Sequence, residues 1–453
     1  MKTDRIKLAV IGRGCVTWMR TLMRDVYLMD EISGGEIHLI DPKVDHAQAV
    51  ADMLHTYNKL RGKDYKINVS ADKRDEALDG ADFVMTTFSP GSMDAFWNDL
   101  EIPIKYGIRL PVSMTVGISG ISAAIRTVPV AYQIVEEMEQ RCPGAWMLNV
   151  TNPMSCVTSA MNKAAKTVKI AGMCHEFHGF ETYIGPILGL KRPDGMNILD
   201  YLYRWLPEQG FDCTVAGLNH FIWLTKANLN GKDVLPEIRA FCEKNDSFKS
   251  VGQQVKILLC RQFGYLPIPG DRHLIEFYPS LCNLSNGFGM KHGVVKTTVE
   301  ARRLAIINGL ESTRRIAGGA ETVGWNRSGE EMIEIMRAII TGNSVPAIIN
   351  APNTGQIENM PKGVIVETLS TIDRNGIKPK MSGSLPGAVG SLCRLHADIQ
   401  EMTVKAALTG DRRLLVEAMS LDPQGGSAID FADIPKLVED LINANRQWLP
   451  RFF

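Results

Sequence analysis

Short β-branched apolar runs alternate with stretches whose apolar positions recur every three or four residues, and this alternation governs the first 180 residues. Ile6 to Ile11, Glu36 to Ile40, Lys66 to Val69, Ala81 to Thr87, Trp146 to Val150 and Val168 to Met173 read as strands. Several are apolar without a break, the pattern of a strand buried on both faces. Helical periodicity follows at Val16 to about Met29, Val44 to Leu60, Phe96 to Tyr106 and Ser122 to Gln140. A small-residue stretch, Gly117-Ile118-Ser119-Gly120, precedes the last of these and reads as a bend or a phosphate nest. Strands and helices in alternation predict a doubly wound parallel sheet of about six strands.

The second half changes rhythm. Pro186 to Leu206 is irregular and marks a boundary. Asp212 to Leu218 and Phe221 to Leu229 read as strands, and Asn230-Gly231 suits the positive φ of a type I′ turn. Helices are expected over Ser250 to Gln262, Thr297 to Ala317, Ala388 to Thr409, Arg412 to Ser420 and Ile434 to Ala444, with two more strands at Val345 to Ile349 and Val364 to Thr371. The fold class is therefore α/β: an N-terminal Rossmann-type doubly wound parallel sheet over residues 1–195 and a C-terminal α+β domain over 196–453.

Charge and composition narrow the partners. Fifty basic and fifty acidic residues give no net charge, so neither nucleic acid nor an anionic membrane is an expected partner, and small neutral substrates are. No run approaches the roughly 18 uncharged residues of a membrane span. Lys2, Asp4, Arg5 and Lys7 interrupt any apolar leader. Nine cysteines without a CxxC pair fit a reducing compartment, and a cytoplasmic location is expected.

The chemistry gathers where strands end. After the first strand come Gly12-Arg13-Gly14, whose spacing lets backbone N–H groups and a helix N-terminus approach a pyrophosphate; Thr17 stands where the GxGxxG fingerprint has its third glycine. Asp41 ends the second strand and suits the ribose hydroxyls of NAD. Phe88-Ser89-Pro90-Gly91-Ser92 follows the fourth, on the nicotinamide side, with Ser89 within it. From Ala145 to Gly179 two neighbouring strands end in Asn149, Thr151 and Asn152 on one side and Cys174, His175, Glu176 and His178 on the other. Uncharged amides beside soft and nitrogen ligands suit a polyhydroxylated substrate held against a metal ion. Cys174 is otherwise a small packing residue, and His220, about 46 residues on at an equivalent strand end, is its obvious partner or a satisfied core histidine. His175 is a candidate acid, Glu176 and His178 more supporting groups, and the loop Phe263 to His273 offers Tyr265 and Asp271 as bases.

Five separated motifs in order, IPIKYGI (Ile102 to Ile108), VTNPM (Val150 to Met154), GMCHE (Gly172 to Glu176), GLNHFIW (Gly217 to Trp223) and NAPNTGQIENMP (Asn350 to Pro361), resemble glycoside hydrolase family 4, and similarity continues to Pro423. That resemblance implies a lactate/malate dehydrogenase-like architecture, with NAD binding in 1–195 and substrate binding and oligomerisation in 196–453. It implies an NAD- and Mn²⁺-dependent glycosidase (another divalent metal being the variant), working by C3 oxidation, C2 deprotonation, elimination, water addition and re-reduction, and assembled as a homodimer or homotetramer. Cys174 and His220 match the family's metal ligands, Asn149 and Asn152 its sugar-binding strand end, and Gly12, Gly14 and Asp41 its cofactor site. His175 stands where some members carry an acidic aspartate. The base differs between members, and both Tyr265 and Asp271 fit. Phospho-sugar members carry an arginine where this chain has Phe88-Ser89-Pro90, so a non-phosphorylated glycoside is expected. The competing expectation is a metal-assisted NAD-dependent dehydrogenase of a hydroxy acid or sugar.

Overall fold

The computed structural model describes residues 4–12, 16–248 and 253–453. Six parallel strands, β1 (Arg5–Ile11), β2 (Gly34–Ile40), β3 (Asp64–Ser70), β4 (Phe83–Thr86), β5 (Trp146–Asn149) and β6 (Lys169–Met173), lie in the order 3-2-1-4-5-6 of a dinucleotide-binding sheet. Antiparallel strands continue it without a break: β11 (Val345–Pro352) pairs with β6, and beyond it lie β12 (Ile365–Asp373), β7 (Phe211–Leu218), β8 (Phe221–Leu229) and β10 (Leu266–Pro267). Two short strands, β9 (Lys232–Asp233) and β13 (Gly376–Pro379), extend β8 and β12.

The apolar strands are buried on both faces because helices cover both. On one face Leu8 and Val10 pack with Met19 and Leu22 of α1 (Val16–Tyr27) and Val50 and Leu54 of α2 (Val44–Arg61). On the other, Ala9 and Ile11 pack with Ala131, Ile134 and Val135 of α4 (Gly117–Arg141) and Val157 of α5 (Met154–Ala164). Each buried aliphatic contributes about 1.5–3 kcal/mol by removal from water. A third layer, α7 (Gly387–Thr409) with the helices Arg412–Leu421 and Ile434–Ala444, closes over α4.

Three expectations change. Gly117 to Gly120 is the buried first turn of α4, neither a bend nor a nest: a Cβ on Gly120 would come within 2.7 Å of the Thr115 carbonyl carbon, so small residues permit a close approach there. α4 is long and apolar enough to cross a membrane by length and composition, yet 72% of its most apolar window is buried in the protein. Its Arg126 is paired with Asp99 of α3 (Ser92–Ile104), both almost wholly buried. The stretch read as irregular, Pro186 to Leu206, holds the end of the helix Phe180–Leu188 and most of a helical run from Ile198 to Glu208 with a π-type segment, Tyr201–Trp205; the prolines at 186 and 207 disguised them. The Asn-Gly turn has its expected positive φ, 52° at Asn230 and 78° at Gly231.

Candidate active site

At the end of β1, Gly12 has φ +124°, and a Cβ there would come within 2.5 Å of the Thr87 carbonyl carbon, so only glycine fits. Its N–H donates to Ile40 O at 3.0 Å, tying the turn to β2. Asp41 follows β2, 1% exposed, with Oδ1 accepting from Lys43 N–H at 2.7 Å. Together with Val10, Met19 and Leu39 these two residues line a small cavity. Gly14 lies outside the described residues. Ser89 is exposed in the loop after β4, which is anchored by Arg126 Nε donating to Pro90 O at 3.0 Å and by Phe88 N–H donating to Thr151 Oγ1 at 3.3 Å.

Asn149 does not face the rim as a free amide. It is fully buried; Oδ1 accepts from Thr86 Oγ1 (2.9 Å) and Thr151 N–H (2.9 Å), while Nδ2 donates to Thr158 Oγ1 (3.3 Å). Every bonding direction is used inside the protein, so its part is to shape the strand end. Asn152, half-buried and joined to Pro153 by a cis peptide, is the amide nearer solvent; its Oδ1 accepts from Met154 N–H at 3.3 Å.

Cys174 follows β6 directly, and the Asn219 side chain hydrogen-bonds it. Burial, with Glu367 and Glu176 nearby, pushes its thiol well above the usual range in the absence of a cation. His220 sits in the turn between β7 and β8 with φ +60°. Its Nδ1 meets Thr115 Oγ1 at 2.7 Å, and its ring stacks on His273 with centroids 3.8 Å apart. Burial holds His220 well below the usual imidazole range, hence neutral, with Nε2 left for a ligand. Among the described residues no set of three or more His, Cys, Asp and Glu side chains converges on one point. A thiol and a neutral imidazole do fit a metal whose remaining ligands come from substrate and water. A further buried oxygen beside Cys174, Asn219 Oδ1, has no partner. Burial raises the Glu367 carboxyl to about 8.

A cleft of about 690 Å³ opens beside these donors, lined by Glu176, Asp271, Arg272, His273, Lys296 and Arg302 among others. Glu176 Oε2 accepts from Gly270 N–H at 2.7 Å and Oε1 lies 3.6 Å from His273 Nε2. Burial would raise its carboxyl, but His273 and the Gly270 N–H outweigh that and leave it below the ordinary value. Asp271 accepts from three backbone N–H groups, of Gln254, Val255 and Lys256, at the start of α6 (Val255–Phe263). Burial still carries its pKa upward. Lys256 is fully buried, its ammonium donating to the carbonyls of Pro267, Ile268 and Pro269. Tyr265 is not among the cleft residues; it packs in the apolar layer with the Arg239 guanidinium 5.2 Å over its ring. His175 is half-exposed between the Trp18 ring, 5.2 Å away, and Glu330, 3.9 Å from its Nδ1. His178 turns to Glu331, 3.9 Å away.

Sequence reasoning missed Thr115 and Glu367, and named the stretches that hold His273 and Asn219 without singling either out. Asn219 precedes His220 inside a quoted motif and was within reach; Glu367 is one polar residue in an apolar run, and its importance arises from strand pairing.

Comparison with known proteins adds the following. A family model described as "Family 4 glycosyl hydrolase" matches residues 7–190, and one described as "Family 4 glycosyl hydrolase C-terminal domain" matches residues 215–425. A protein of Lachnoclostridium phytofermentans named alpha-galacturonidase is 32% identical, the alignment covering 99% of this chain and 98% of that one. A crystal structure of LplD from Bacillus subtilis, described as a glucosidase, is 30% identical, with TM-score 0.84 over 97% of this chain and 100% of that one. A 6-phospho-beta glucosidase of Thermotoga maritima, solved with manganese, NAD⁺ and glucose-6-phosphate, shares the fold at 20% identity, with TM-score 0.77 over 98% and 99% of the two chains.

Proposed function

Because the chain belongs to the family 4 glycosyl hydrolases, we propose that it hydrolyses a non-phosphorylated α-linked uronide, α-galacturonides foremost, by oxidation and elimination with NAD⁺ and a divalent metal such as Mn²⁺. The observation that carries this reading is the convergence of Cys174, Asn219 and His220 on the rim that also holds the Gly12 turn and Asp41. Gly12 and Asp41 would hold the adenosine end of the dinucleotide, the Ser89 loop its nicotinamide end, and Cys174 and His220 the metal. When bound, these groups would supply hydride exchange at C3 and polarisation of the C2 and C3 oxygens.

The chain's own residues do the rest. Thr115 holds His220 Nδ1 and so fixes which ring nitrogen is left to ligate. Asn152 is the amide available to a sugar hydroxyl, with Asn149 bracing the strand end behind it. Of the two candidate bases, Asp271 lines the cleft and Tyr265 does not, so we assign removal of the C2 proton to Asp271. Three N–H bonds leave one of its roughly four lone-pair positions open, and burial favours its taking a proton. His175, open to solvent beside Trp18 and Glu330, gives a proton to the departing C1 oxygen. Arg272, Lys296 and Arg302 line the cleft, whereas its carboxylates Glu176 and Asp271 are held by backbone N–H groups. That balance suits a sugar carboxylate. The loop Phe88-Ser89-Pro90 has no cation for a 6-phosphate.

The test is nitrophenol release from a panel of α- and β-linked hexosides and uronides, with NAD⁺, Mn²⁺ and thiol reductant each added or withheld. Release from an α-uronide that requires all three supports the reading. Undiminished release without NAD⁺ and metal overturns it.

A further inference from the structure

A row of residues in register crosses the sheet from the strand ending in Cys174 to the strand ending in Asn219 and His220. Gly172 on β6 stands opposite Asn350 on β11, Asn350 opposite Glu367 on β12, and Glu367 opposite Gly217 on β7. The outer members are glycines: a Cβ on Gly172 would come within 2.9 Å of Asn350 Cβ, so its bareness makes room for Asn350, and a Cβ on Gly217 would meet the backbone of Phe221. Asn350 and Glu367 are 0% and 1% exposed.

A carboxyl group so placed is costly to hold as an anion unless something of opposite charge meets it. Among the described residues no basic side chain pairs with Glu367. Its Oε2 accepts from Asn219 Nδ2 at 3.3 Å, and the Asn350 amide opposite it on β11 is its other polar neighbour. The same Asn219 side chain hydrogen-bonds Cys174, and its Oδ1 is unpartnered. A buried acid, an amide and a thiol thus form a chain with an open acceptor, an arrangement left incomplete by protein atoms alone and completed by a cation at the thiol.

We propose that Glu367 is a positioning residue for the metal site, its carboxyl oxygen holding the Asn219 amide so that the Cys174 sulfur faces the cation. This rests on the assignment of Cys174 and His220 as metal donors. Groups that orient metal ligands from behind typically change metal affinity 10–100-fold when altered.

The test uses the full-length protein with NAD⁺ bound, titrated with Mn²⁺ followed by electron paramagnetic resonance of the free ion, and with Co²⁺ followed by its thiolate charge-transfer absorption. Glu367→Leu removes the acceptor for Asn219 at similar size, Glu367→Gln keeps it, and Asn219→Ala breaks the link without touching the carboxyl. The expected result is a Mn²⁺ dissociation constant raised about tenfold or more in Glu367→Leu and Asn219→Ala, with a weakened Co²⁺–thiolate band, both largely restored in Glu367→Gln, and NAD⁺ affinity equal to the parent's throughout, a combination that general loss of structure does not give. Mn²⁺ affinities within twofold of the parent in Glu367→Leu and Asn219→Ala overturn the role of Glu367 and leave the metal assignment standing. No Mn²⁺ binding by the parent overturns both.

Discussion

The parallel and antiparallel halves of the sheet differ in how far burial displaces the proton affinities of their polar groups. In the parallel half the buried charged pair Arg126 and Asp99 is mutually neutralised and braces a loop, the Gly12 turn is bare backbone, and the buried carboxyls Asp25 and Asp41 accept from the N–H groups of Ser328 and Lys43. In the antiparallel half buried ionisable groups stand without an opposite charge or with displaced proton affinity: burial raises Glu367 to about 8 and Glu276 to about 7, and lowers Lys256 to about 7. Polar groups held out of water at a free-energy cost are the ones available for chemistry. On the proposed function the first half would recognise by shape and the second would act by charge.

If that division holds, the largest effect comes from the donors at the junction. Cys174→Ala or His220→Ala removes metal binding and lowers turnover by about a thousandfold, the scale of several kcal/mol of lost electrophilic stabilisation, read by steady-state kinetics with metal analysis. Chelation of the parent enzyme gives the same loss, reversed by Mn²⁺. Next comes an addition in the parallel half: Gly12→Ala forces a methyl against Thr87 at positive φ, costs about 1–3 kcal/mol, and weakens NAD⁺ binding in fluorescence titration with Mn²⁺ affinity unchanged. A smaller effect follows from cutting one cleft cation. Arg272→Met raises KM for an α-uronide about tenfold and leaves any neutral hexoside unaffected, since a hydrogen bond to a charged group is worth about 1.5–3 kcal/mol.

The smallest effect concerns pH. Glu276 is buried, with Oε1 accepting from the N–H groups of Val112 and Ser113, and its folded-state pKa of about 7 lies above the ordinary 4.5. Between those values the folded chain binds more protons than the unfolded one, so this group's contribution is present below the unfolded pKa and is lost as pH rises through the folded pKa. Glu276→Gln is expected to flatten the fall in stability between pH 4.5 and 7, measured by urea unfolding; an unchanged slope would remove Glu276 from the contrast.

Legibility in the sequence followed the same division. Parallel strands are local signals: a β-branched run, a turn and an amphipathic helix fall within about 40 residues, so β1 to β6 and the rim positions Gly12 and Asp41 could be read directly. Cys174 and His220 could be named because each ends a strand. Their shared environment could not, since Glu367 reaches Asn219 across 148 positions of chain. Asn149 shows the limit from the other side: a polar residue at a strand end reads as a ligand contact, and only Thr86 and Thr158, brought by other elements, reveal that its amide is spent. Tyr265 likewise shares a loop with Asp271, and only packing under Arg239 separates the two.

The central claim is that glycoside cleavage here passes through removal of the C2 proton. Hydrolysis of a nitrophenyl α-galacturonide in D₂O, with NAD⁺, Mn²⁺ and reductant, tests it through the product's proton spectrum. Deuterium at C2 of the released galacturonate is the expected result. Product that retains protium at C2, formed at an undiminished rate, would contradict it.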